Sequence, residues 1–151
     1  MKILYFCHTG VHTALVGAGI HLGLMPADRL PENKEIYQLP YFDGLSSGEV
    51  GTPFYIGSDQ KGNEIFVFGV NHQQEIYTKA IKDVLDIYGF GPEQYLLVDV
   101  LKCNNRLISL GGWFSLIPGW NHLGRAMAVR GLKTAYPQIK AEVTKVKERL
   151  H

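Results

Sequence analysis

Cysteine is scarce: Cys7 and Cys103 are the only two in 151 residues. Two thiols make neither a disulfide framework nor a zinc quartet, and a chain this long can bury a core without such staples. Charge of either sign is not in excess. Fifteen Lys and Arg face fourteen Asp and Glu, a formal net charge of +1, whereas a nucleic-acid binder shows a basic stripe or patch. Cations cluster only near the C-terminal end, at Lys140, Lys145, Lys147 and Arg149, where they suit the negative pole of a helix. Long apolar runs are missing too. Gly or Pro breaks each of them short of the roughly 20 residues that span a bilayer, and the apolar start from Lys2 to Phe6 is too short for a signal peptide. The expectation is a cytosolic, reduced protein that partners neither membrane nor nucleic acid. No metal is indicated and no cofactor is named.

What is present is a strand–helix alternation. Lys2 to Cys7 is a short apolar run closed by a turn, the mark of a buried strand. Ala14 to Leu24 reads as a helix of apolar and small residues, with Gly17 and Gly19 placed for close packing on a sheet. Glu32 to Leu39 reads as a short helix. Phe54–Ile56 and Glu64–Phe68 flank the polar turn Asp59-Gln60-Lys61-Gly62-Asn63, a hairpin signal. Gln73 to Tyr88 carries Ile76, Ala80, Ile81, Val84, Leu85 and Tyr88 at helical spacing. Tyr95 to Val100 is the second candidate for a central parallel strand. Leu107 to Pro118 is ambiguous, Ala126 to Val129 reads as a last strand, and Leu132 to Leu150 as a terminal helix with Pro137 in its first turn or at a kink. The pattern predicts one α/β domain over 1–151: a mostly parallel, helix-covered three-layer sheet with one β-hairpin.

Ligands of open α/β sheets bind beyond the carboxyl ends of the strands. The turn Cys7-His8-Thr9-Gly10-Val11-His12-Thr13 lies there and leads into a helix start, whose free N–H groups and dipole favour an anion. Gly10 permits close backbone approach. Thr13 is placed to cap the helix, Thr9 to line the loop, and His12 to add a donor or a charge. Cys7 occupies the position of a nucleophile, where a helix N-terminus lowers a thiol pKa. Equally, a free cysteine there serves as a small hydrophobe ending a buried strand.

Over its first twenty residues the chain resembles two cysteine-led phosphate loops: those of the low-molecular-weight tyrosine phosphatases and of the sugar-phosphotransferase IIB domains. Thr13 stands where the phosphatase arginine would be, and the chain has no Asp-Pro pair to match that family's general acid. A second resemblance runs nearly the full length. Gly10-Val11-His12-Thr13, Ile20 to Pro26, Leu39 to Asp43, Gly62 to Gly69, Asn105, Gly111 to Ser115, Gly124-Arg125 and Arg130-Gly131 look like the domain of unknown function 3189 of spore-forming Firmicutes. That resemblance implies a bacterial cytosolic protein and supplies no activity.

Asp99 falls at the carboxyl end of a predicted central strand, with Lys102, Asn104 and Asn105 just beyond it, the right place for a second pocket wall. Polar turn residues also collect there for local reasons. Gly112 offers backbone to a ligand, and Arg125 has the reach and geometry for a phosphate. His72, between the hairpin and a helix, is placed to cap that helix or face the pocket, and equally reads as a plain surface histidine; His21 reads as a packing residue. Cys7 and Cys103 approach each other if their strands adjoin. Two functional classes follow. The first is a phosphate- or nucleotide-binding protein, including phosphotransfer, with Thr9, Gly10, His12, Thr13, Asp99, Asn105, Gly112 and Arg125 in contact. The second is a non-catalytic interaction module that meets a partner or a second copy through Gly111-Gly112-Trp113-Phe114.

Overall fold

The computed structural model describes residues 1–9, 12–42, 49–114 and 117–150. Four strands form one sheet in the order β2-β3-β1-β4. β1 (Lys2–Cys7) is central, and β3 (Glu64–Gly69) and β4 (Tyr95–Asp99) pair with it in parallel. β2 (Phe54–Ser58) joins the far side of β3 as the antiparallel arm of the hairpin. The expected mixed, mostly parallel α/β sheet is therefore present, with both Lys2–Cys7 and Tyr95–Asp99 among its strands.

Side chains alternate across the pleat, so the sheet has two cores. Ile3, Tyr5, Cys7, Ile65, Val67 and Val98 face α1 (Thr13–Leu22) and α5 (Asn121–Arg149). Leu4, Phe6 and Phe68 face α3 (Gln74–Ile87), chiefly at Ile81. The first core is the larger, because α1 is sandwiched between the sheet, α5 and the segment around α2 (Asn33–Tyr37). That position explains why α1 is apolar all round rather than amphipathic. A Cβ at Gly17 would stand 3.2 Å from the Tyr5 ring, and one at Gly19 would stand 2.9 Å from the side chains of Leu39 and Met25. Gly17 thus meets the sheet as expected, whereas Gly19 admits the chain on the other side. α3 shields its face incompletely: Val84 is half exposed, and an apolar groove of about 380 Å³ runs between α3 and the sheet.

Two sequence expectations are corrected. Ala126–Val129 is no strand but part of α5, which runs unbroken for 29 residues with Pro137 in its interior. A four-residue apolar run does not distinguish a buried strand from a buried helix by periodicity. What distinguishes this one is the small-residue series Gly124, Ala128 and Gly131, spaced for helix contact. The ambiguous stretch from Leu107 is helical as well, forming α4 (Arg106–Phe114). A Cβ at Gly111 would stand 2.5 Å from the Ala128 nitrogen and 2.7 Å from the Gly124 carbonyl oxygen. Gly111 is therefore what lets α4 lie backbone-to-backbone on α5.

Candidate functional site

β1 and β3 end side by side, Cys7 opposite Gly69. Their pairing continues into the loops: Val70 N donates to the Cys7 carbonyl at 3.0 Å, and Asn71 N to the His8 carbonyl at 2.8 Å. The approach is close enough that a Cβ at Gly69 would stand 2.8 Å from the Thr9 carbonyl oxygen. Asn71 adopts the left-handed conformation, φ 47°, which only a few non-glycine residues, asparagine among them, tolerate well. Its carbonyl there accepts a hydrogen bond from His8 Nδ1 at 2.7 Å, and the His8 and His72 rings lie 5.2 Å apart.

These loops form one side of a cavity of about 310 Å³. The start of α1 supplies another side. His12 stands at the N-cap position and Thr13 is the first helical residue; no side chain caps this helix. The expectation that Thr13 caps α1 is thereby corrected. The helix begins one residue earlier than that role requires, and Thr13 is buried. Thr9 Oγ1 and His12 Nδ1 are 3.2 Å apart, and the His12 ring packs edge-on against Phe42 at 5.7 Å between centroids.

α4 closes the cavity with Ile108, Ser109, Gly112 and Trp113. It is held there by Asn105, whose Oδ1 accepts from the Ile108 N–H at 3.0 Å while its Nδ2 donates to the Gly131 carbonyl at 2.8 Å. A Cβ at Gly112 would stand 3.5 Å from His12 Cε1, so a longer side chain would enter the cavity. Asn104, beside it, donates from Nδ2 to Ser109 Oγ at 3.1 Å. Its Oδ1 is buried and has no partner among the described residues.

The structure thus gathers Cys7, Thr9, His12, Thr13 and Gly112 around one cavity. Gly10 lies outside the described residues. Asp99, Asn105 and Arg125 are not among the cavity-lining residues. Asp99 Oδ1 accepts from the Leu101 N–H at 2.8 Å and its Oδ2 from Gln74 Nε2 at 3.1 Å, so it closes the turn after β4. Asn105 secures α4 on α5. Arg125 sits exposed near the start of α5. Cys7 is 2 % exposed and its side chain belongs to the α1–α5 core. Cys7 and Cys103 are both buried and form no disulfide, and burial pushes the Cys103 pKa up to about 11.

Asn71 and Ser109 line the cavity without having been singled out in the sequence, while His8 belongs to the turn after β1, Asn104 to the polar turn after β4, and His72 follows β3. The signal for Asn71 and His72 was the rule already applied to β1: they follow the carboxyl end of a parallel strand. β3 had been weighed only as half of a hairpin. Among the described lining residues, the ionisable side chains are Cys7 and the three histidines, with no carboxylate, lysine or arginine.

A second cavity, about 330 Å³, lies at the opposite end of the sheet under the hairpin turn, lined in part by His21, Asp59, Lys61 and Lys147. Its polar core is a buried chain. Tyr5 Oη and His21 Nδ1 are 2.8 Å apart, and His21 Nε2 lies 3.3 Å from Asp59 Oδ2. Burial raises the Tyr5 pKa, so the phenol keeps its proton and donates to Nδ1; Nε2 then carries the imidazole hydrogen toward Asp59. Burial also lowers the His21 pKa from 6.5, against the opposing pull of Asp59. Burial works against the Asp59 charge as well, yet hydrogen bonds from the Asn63 side chain and backbone, from His21 and from the Lys61 N–H hold its pKa at about 2. The network satisfies itself and serves to pin the hairpin to α1.

A family model described as "Protein of unknown function (DUF3189)" matches residues 2–148. No curated protein and no solved structure matches the chain. The chain belongs to the DUF3189 family.

Proposed function

We propose that the cavity at the carboxyl ends of β1 and β3 binds a small oxyanion, the phosphate group of a small molecule or nucleotide. One observation carries this reading: His8, His12 and His72 converge with the N-terminus of α1 on a cavity that no described carboxylate lines. First-turn amides have no intrahelical acceptor, and the helix dipole favours negative charge at that end. Imidazoles supply donors, and charge when protonated. A cavity of about 310 Å³ falls at the small end of the ligand-pocket range. Cys7 has no chemical role in this reading. The setting we propose is cytosolic, with a soluble small molecule rather than a membrane or nucleic acid as the partner.

Calorimetric titration with phosphate, pyrophosphate and common nucleotides tests the reading. Saturable binding is expected. Replacing the exposed Ser109 by Trp fills the space from the α4 side and abolishes binding while the fold persists. Absence of binding in the wild type ends the reading.

A second reading rests on the aromatic ridge beside the cavity. Trp113 is 59 % and Trp120 50 % exposed, and Phe114 stacks on Trp120 with ring centroids 5.4 Å apart. With the exposed Leu110 and Leu123 this is the sort of surface that partners cover. Concentration-dependent dimerisation that is lost in Trp113→Ser would favour self-association through that ridge.

A further inference from the structure

We infer that the ligand of this cavity is a phosphomonoester of a planar aromatic group, whose ring lies against Trp113 while its phosphate sits at the start of α1. This rests on the oxyanion reading above and names the rest of the molecule.

The cavity has two unlike walls. The loops after β1 and β3 bring a polar one, with Thr9, Asn71 and the histidines. α4 brings an apolar one, formed by Ile108, Gly112 and Trp113. The hydroxyl of Ser109, on the same helix, is engaged by Asn104. A bare phosphate presents only oxygens, so it has nothing to place against the apolar wall. It also leaves room. A cavity of about 310 Å³ corresponds to roughly ten waters at about 30 Å³ each, and a bare phosphate fills a fraction of that.

Trp113 gives the apolar wall its shape. Ile108 is buried, whereas Trp113 stands exposed at the cavity. Its indole is braced from behind: Phe114 meets it at 5.1 Å between centroids with the planes 65° apart, and Phe114 in turn stacks on Trp120. Among the described residues no other ring meets the indole, so at least one of its π-faces has no ring against it. Aromatic rings favour offset stacking on such a face. Gly112 keeps the way between the two walls open. A Cβ there would stand 3.5 Å from His12 Cε1, and a larger side chain would part Trp113 from the histidines. An aromatic phosphomonoester satisfies both walls at once. An aliphatic one reaches the polar wall and leaves the indole in water.

Calorimetry on the full chain tests this with methyl phosphate, phenyl phosphate and adenosine monophosphate at matched ionic strength. Phenyl phosphate carries its ring on the ester oxygen, and the nucleotide carries its ring beyond a ribose. At least one of the two is expected to bind roughly tenfold or more tightly than methyl phosphate, the scale of one ring stacked on an aromatic side chain. Which of them does so tells how far the ring stands from the phosphate. In Trp113→Leu, which keeps an apolar side chain but no π-face, that advantage over methyl phosphate is lost. NMR of the wild type supplies a check that needs no variant to fold: the Trp113 indole N–H should shift with the ring-bearing ester and not with methyl phosphate. Equal affinities for the three esters, or an advantage that survives Trp113→Leu, overturn the aromatic wall and leave the oxyanion cavity standing. Binding of none of them overturns both.

Discussion

Replacing Tyr5 by Phe removes one oxygen from the centre of the sheet and leaves its ring, which packs under Gly17, in place. The lost hydroxyl is the donor to His21 Nδ1 at 2.8 Å, and both side chains are buried. The imidazole then keeps an acceptor with no partner, which costs about 1–3 kcal/mol. For a domain of this length each kcal/mol moves the melting temperature by about 2–4 °C, so the expected drop is about 2–12 °C. Urea denaturation and scanning calorimetry measure it. A double-mutant cycle with His21→Leu separates the pair from the ring's packing. The two changes should be non-additive, since removing both partners leaves no orphaned nitrogen on that side. The same chain sets an acid limit. His21 has a folded pKa below 6.5, so the unfolded chain takes up a proton that the folded chain resists. Its contribution is complete above about pH 6.5 and is lost as pH falls below that value. Asp59, with a pKa of about 2 in the fold, contributes fully above its unfolded pKa of about 4, and that contribution is lost as pH falls toward 2. Additive effects in the cycle, or stability flat from neutral pH to about 5, would refute the tautomer and the network argued from it.

Gly111→Ala should destabilise strongly, despite alanine's better helix propensity, because its Cβ would lie 2.5 Å from backbone in α5; a rise in melting temperature would show that α4 does not sit on α5 as described. Gly112→Ala, whose Cβ would meet only the His12 ring at 3.5 Å, should leave the fold intact, and a matching loss of stability at both glycines would contradict the contrast between them. Cys7 and Cys103, at 2 % and 1 % exposure, should both alkylate slowly in the native protein and rapidly in urea; fast native labelling of Cys7 would return it to consideration as a nucleophile.

The sheet was legible because its strands are short apolar runs with clear stops. Lys2–Cys7 and Tyr95–Val100 have the continuous hydrophobicity of strands covered on both faces, and Asp59 to Asn63 has the polar, glycine-bearing form of a hairpin turn. The C-terminal third was not legible in the same way. Ala126–Val129 is apolar in either conformation, and only the contact between Gly111 and the α5 backbone shows why small residues recur at Gly124, Ala128 and Gly131. The site was half legible. The rule that ligands gather at strand carboxyl ends led to Thr9, His12 and Thr13 from β1. It misled at Asp99, whose oxygens are taken by Leu101 and Gln74, and at Asn105, whose amide is taken by Ile108 and Gly131. Local turn and cap chemistry claimed those residues first. His8 and Asn104 required geometry: nothing in the sequence states that one donates to a carbonyl or that the other buries an oxygen without a donor.

The central claim is that an oxyanion seats between the start of α1 and the three histidines, and the most direct measurement is residue-resolved NMR during a phosphate titration. Saturable shifts are expected at the Thr13, Ala14 and Leu15 amides and in the rings of His8, His12 and His72. Shifts confined to Lys61, Lys147 and the hairpin turn, where the second cavity has its lysines, or no saturable shift at all, would contradict the account.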